Sequence, residues 1–112
     1  MIIAVPYGDE YSQSVRLGDT LRVLVNQPQD GNTWTGNVTI RTSFTATATD
    51  DVALAEYSGE KVRNMDWDLF EDYDTSSIPL VANTRYLAVA ELTSGTKQVE
   101  EHTTFHVLPD GR

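Results

Sequence analysis

The stretch Gly36-Asn37-Val38-Thr39-Ile40-Arg41-Thr42-Ser43-Phe44 decides the fold. Gly36, Val38, Ile40, Thr42 and Phe44 alternate with Asn37, Thr39, Arg41 and Ser43, and a period of two over this length is that of a β-strand with one buried and one wetted face. Asp30-Gly31-Asn32, just upstream, is a turn signal, and before it Gly18-Asp19-Thr20 opens a second alternating run, Leu21, Val23, Val25. Strand, turn and strand in this order are the pattern of an antiparallel sandwich.

Working outward, Ile2 to Pro6 forms a short edge strand ended by proline, followed by a loop at Gly8-Asp9-Glu10. The second strand runs from about Asp19 to Asn26. The long strand begins at Trp34 or Thr35 and continues through Ala46 and Ala48, favoured by the branched Cβ atoms of Thr39, Thr42, Thr45, Thr47 and Thr49. Residues 61–73 admit two patterns. Val62, Met65, Leu69 and Tyr73 make a helical stripe, whereas Met65, Trp67 and Leu69 make a strand face with Asp66 and Asp68 outward. The strand is the reading taken.

Asn83-Thr84 is a turn, and Arg85 to Leu92 is apolar on both faces at its centre, as a strand in the middle of a sheet is. Thr93 to Thr96, around Ser94-Gly95, is a hairpin turn. Lys97 to Leu108 then returns as the last strand, with Val99, Thr103, Phe105 and Val107 inward. Six to seven strands of this kind give an all-β, immunoglobulin-like sandwich spanning residues 1–108, with 109–112 as a tail. Tyr86, near the start of the penultimate strand, either closes a tyrosine corner through its hydroxyl or is an ordinary core or rim tyrosine.

The 112 residues suit one domain, which at this size buries roughly two-thirds of its unfolded surface. Seventeen acidic and eight basic residues give a net charge of −9, which repels phosphate backbones and anionic lipid, so neither nucleic acid nor a membrane surface is an expected partner. There is no cysteine, so no disulfide or thiolate nucleophile is available and packing must hold the layers together. The apolar N-terminus is too short for a secretion signal, and no run reaches the ~20 apolar residues of a membrane span.

Nine of the seventeen acids fall between Asp50 and Asp74. Within that stretch Asp66, Asp68 and Asp72 could offer carboxylates to a hard cation such as calcium. Phe70 stands where a calcium loop needs a ligand, and the turn glycine is missing, so a solvated face that resists association is the reading adopted and no cofactor is expected. His102 and His106 would meet on a helix, but on a strand four residues span ~13 Å, too far for one ion. There is no Gly-x-Ser-x-Gly elbow and no glycine-rich phosphate loop, and an enzyme is not expected. Tyr7, Tyr11, Trp34, Tyr57 and Tyr73 lie in or beside loops, where amphipathic aromatics anchor partners, although Trp34 also suits a plug at the end of the sandwich.

Gly18-Asp19-Thr20, Asp30-Gly31, Thr35-Gly36 and a strand holding Val38, Ile40 and Arg41 resemble the N-terminal immunoglobulin-like module of phage baseplate upper proteins and related tail proteins. Pro79-Leu80, Thr84-Arg85-Tyr86 and Phe105-His106-Val107 are similar too, and together the matches cover about half of the chain. The resemblance implies a non-enzymatic virion protein, assembled in the host cytoplasm, that docks on capsid, tail or fibre subunits and forms a homo-oligomer or symmetric assembly. The family's module is followed by a helical or fibrous extension, while this sequence ends at Arg112 and its acidic centre has no counterpart. That departure implies a head-decoration (cement) protein or a small tail or baseplate adaptor. The alternative is a carbohydrate- or cell-surface-binding sandwich, with Trp34 and the loop tyrosines stacking on a ligand.

Overall fold

A computed structural model describes residues 1–43, 45–46 and 51–110. Among these the chain is all-β, in two facing sheets. The four-stranded sheet has the order β1 (Ile2–Pro6), β3 (Thr20–Val25), β7 (Leu69–Asp74), β6 (Ala55–Glu56). The five-stranded sheet has the order β2 (Ser14–Arg16), β9 (Lys97–Leu108), β8 (Thr84–Ser94), β4 (Thr35–Arg41), β5 (Val52–Ala53). All pairings are antiparallel except β2 with β9, which is parallel. This is the immunoglobulin-like sandwich expected from the alternation, but with nine strands among the described residues where six to seven were expected; the excess comes from short strands, β2 of three residues and β5 and β6 of two each.

The core follows from strand periodicity. Leu21, Val23 and Val25 of β3 face Val38 and Ile40 of β4, Ala88, Ala90 and Leu92 of β8, and Phe105 and Val107 of β9. Burying each large side chain of this set contributes about 1.5–3 kcal/mol. No disulfide links the layers. A hydrogen bond crosses them instead, from the buried Tyr73 hydroxyl on β7 to the Val38 carbonyl on β4, 2.9 Å. Gly36 lets β4 lie close against β8, because a Cβ there would run into the Glu91 carbonyl oxygen and the Leu92 side chain.

Several boundaries differ from the sequence reading. The long strand stops at Arg41; Thr42, Ser43, Thr45 and Ala46 are not in a strand, and the expected continuation through Phe44 and Ala48 lies outside the described residues. Strict alternation also fails at Thr39, which is buried and accepts a 2.9 Å bond from Arg41 Nε, so its hydroxyl is satisfied there. The strand read through Met65 and Trp67 begins only at Leu69; residues 61–68 are neither helix nor strand. β2 had no sequence signal, and β8 runs on to Ser94, leaving Gly95-Thr96 as the turn.

Tyr86 does close a corner. Its hydroxyl accepts the Val81 N–H at 2.8 Å while its ring stacks on Phe105 at 5.9 Å. A hydroxyl, unlike a plain apolar ring, can hold the chain that enters β8.

Candidate functional site

Register builds the site. Side chains opposite one another in an antiparallel pair share a face. Leu21, Val23 and Val25 point into the sandwich, so Arg22 and Leu24 point out of the four-stranded sheet. Leu24 lies opposite Ile3 and Phe70, and Arg22 lies opposite Val5 and Asp72. The outer face therefore carries an apolar row beside a charged one.

The segment 57–68 folds over the apolar row. Val62 and Trp67 join Leu24 in a second core, with Ile3, Tyr57, Met65 and Phe70 packed against it. The Trp67 indole donates to the Val62 carbonyl at 3.1 Å, and Val62 and Met65 pair through bonds of 3.2 and 3.0 Å. The two residues between them, Arg63 (φ 54°) and Asn64 (φ 60°), both occupy the left-handed region, as a two-residue type I′ turn requires. Asparagine tolerates that region; arginine adopts it at a cost. The turn aims Arg63 at the 7–13 loop, where its Nε donates to the Glu10 carbonyl and its guanidinium lies 6.0 Å from the Tyr11 ring centroid.

Between this segment and the 7–13 loop lies a cleft of about 770 Å³. Its floor is Arg22, whose Nε and Nη2 donate to the two Asp72 oxygens at 2.8 Å each. These bonds raise the Arg22 pKa above its ordinary value despite partial burial. Three rings surround the guanidinium, with centroids at 4.4 Å (Tyr7), 5.5 Å (Phe70) and 5.7 Å (Tyr57). Tyr57 is fixed in turn. Its ring meets Phe70 edge-on at 5.5 Å, its hydroxyl donates to the Glu60 carbonyl at 2.8 Å, and it lies so close to Gly59 that a Cβ there would overlap the ring. A second hollow of about 400 Å³, at the end of the sandwich, shares Glu56 and Tyr57 with the cleft.

Of the five aromatic residues expected to bind a partner, the structure brings three together. Tyr7 is 62% exposed, Tyr11 is 73% exposed and Tyr57 is half-buried, all lining the cleft. Trp34 and Tyr73 are corrected: at 3% and 5% exposure both are core side chains, and neither lies in the cleft. Trp34 is a plug at the sandwich end, its indole donating to Asp30 Oδ1 at 3.0 Å. Arg22, Phe70, Arg63 and Gly59 escaped the sequence reading, because nothing local to Arg22 reveals that β7 will place Asp72 beside it.

The three acidic candidates serve separate purposes. Asp66 is exposed, with Lys61 at 3.8 Å; Asp68 accepts the Gln27 N–H at 3.0 Å; Asp72 is held by Arg22. No group of three or more His, Cys, Asp or Glu side chains among the described residues is placed to hold a metal ion. His102 and His106 lie on one strand, β9, opposite Val89 and Arg85.

No protein-family profile and no curated protein matches the chain. Among solved structures, the crystal structure of an engineered protein is similar at 15% identity with a TM-score of 0.47, covering 97% of this chain. This chain spans 20% of that one's length, and a likeness this weak carries no argument about function.

Proposed function

We propose that this protein is a non-enzymatic docking module of a phage particle, a head-decoration protein or a tail or baseplate adaptor, that grips a partner subunit through the tyrosine-walled cleft. The observation that carries the docking reading is the convergence of Tyr7, Tyr11 and Tyr57 on one concave face, with Arg22 and Arg63 laid against their rings. Tyrosine and arginine are enriched at the energetic centres of protein interfaces, where rigid rings give large contact area at small entropic cost. The particle setting is supported by the sequence resemblance to phage tail modules.

One observation favours a second reading. The cleft is concave, and exposed tyrosine faces beside carboxylates also suit a carbohydrate-binding module, although Trp34 is buried and lines the second hollow and not this cleft. Retention of subunits from dissociated phage particles on immobilised protein separates the two. Docking predicts that the wild type retains a defined virion subunit and that Tyr7→Ala/Tyr11→Ala loses it. Equal retention by that double variant, or binding of glycans with no subunit retained, contradicts the docking reading.

A further inference from the structure

The charges of the cleft are unevenly committed. Each cation lining it has a partner: Arg22 binds Asp72, Arg63 donates to the Glu10 carbonyl, and Lys61 lies 3.8 Å from Asp66. The lining carboxylates of Glu10, Glu56 and Glu60 have no ion-pair or hydrogen-bond partner among the described residues. An occupant therefore meets aromatic walls and open negative charge, set in a molecule whose net charge is −9. Cations gain twice on such a surface, from the carboxylates and from the faces of the tyrosine rings.

The shape constrains the occupant further. Glu56 and Tyr57 line both the cleft and the second hollow, so the two are neighbours and a ligand long enough to reach past Tyr57 meets both. An elongated ligand suits that path better than a compact one. Extended, proline-containing peptides dock on ridges of aromatic side chains because their backbone is already ordered before binding.

We infer that the cleft binds an extended, lysine- or arginine-bearing peptide segment of the partner protein. This rests on the docking reading above and names the part of the partner that enters the site. Glu56 and Glu60 read the basic side chains, Tyr7 and Tyr11 supply the walls, and Tyr57 borders both hollows.

Amide NMR titration of the intact protein tests this with a short proline–lysine peptide, its proline–glutamate counterpart and a neutral gluco-oligosaccharide. The proline–lysine peptide should shift resonances of residues 7–11 and 56–64, and its binding should weaken as salt is raised. Tyr11→Ala, at an exposed position outside both cores, should weaken that binding about tenfold, as loss of an interface anchor does. Glu56→Gln/Glu60→Gln should remove the preference over the glutamate peptide. Equal binding of the two peptides, shifts centred elsewhere, or binding of the oligosaccharide alone overturns the inference. Tyrosine-dependent retention of a virion subunit with no peptide binding refutes this inference and leaves the docking reading standing; no retention by the wild type, or equal retention by Tyr7→Ala/Tyr11→Ala, refutes the docking reading.

Discussion

Arg22 on β3 and Asp72 on β7 face each other in register and share two N–H···O bonds of 2.8 Å, with the Tyr7 ring laid 4.4 Å from the guanidinium carbon. Hydrogen bonds between charged groups contribute about 1.5–3 kcal/mol when shielded, and the partial exposure of the Asp72 carboxylate reduces this to about 1 kcal/mol. A double-mutant cycle of Arg22→Met and Asp72→Asn, followed by urea unfolding, should give a coupling of that size. Strict additivity would show that the pair is decorative. Tyr7→Ala in the same background should reduce the coupling, since the ring shields it from water.

The corner at Tyr86 makes a separate prediction. Tyr86→Phe keeps the ring on Phe105 and loses only the bond to the Val81 N–H, so it should cost about 1 kcal/mol with the fold intact. Tyr86→Ala also empties a buried site and should cost about 3–5 kcal/mol. Equal losses for the two variants in thermal unfolding would contradict a role for the hydroxyl.

Acid should act on two carboxyl groups in opposite senses. The Trp34 indole and the Asn32 N–H hold the Asp30 carboxyl down, from 3.8 to about 2. Its contribution is thus present above pH 3.8 and is lost as pH falls toward 2. Asp30→Asn should flatten that limb of the stability curve and decouple Trp34 emission from acid titration. Burial pushes Glu71 up, against the hydrogen bond from the Asp72 N–H that favours its charged form, and the Asp72 charge adds a smaller upward push. A raised carboxyl pKa means that its contribution is present at low pH and lost as pH rises through the folded value. Glu71→Gln should therefore raise the melting temperature at neutral pH and leave it nearly unchanged in acid.

Two glycines should respond very differently to the same added methyl. Gly59→Ala displaces the Tyr57 ring at the surface, so it should alter the cleft while costing under about 1 kcal/mol. Gly36→Ala drives a Cβ against the backbone of β8 and should cost about 3 kcal/mol or more. Denaturant midpoints for stability and tyrosine nitration rates for the cleft distinguish the two.

Period-two patterning placed β1, β3, β8 and β9 within a residue or two because each buries one face against a continuous core, and burial is what alternation records. It overran at Thr42, which is exposed, because alternation of small polar residues does not itself say where a strand ends. Residues 61–68 were illegible for a different reason. Val62, Met65 and Trp67 are apolar because they cap the outside of a sheet, a second core whose members follow a folded-back loop and no regular period. The tyrosines of the cleft were visible as loop aromatics. Their arginine floor was not, since it depends on the register of β3 against β7, two strands separated by more than forty residues of sequence.

The central claim, that partners enter at the tyrosine cleft, is tested most directly by photo-crosslinking. A photoreactive side chain replaces Tyr11 in one preparation and the exposed Gln98 on β9 in another, and each is incubated with dissociated phage particles and irradiated. A single virion subunit crosslinked from position 11 and absent from position 98 is the predicted result. Crosslinks from position 98 with none from position 11 would contradict the account.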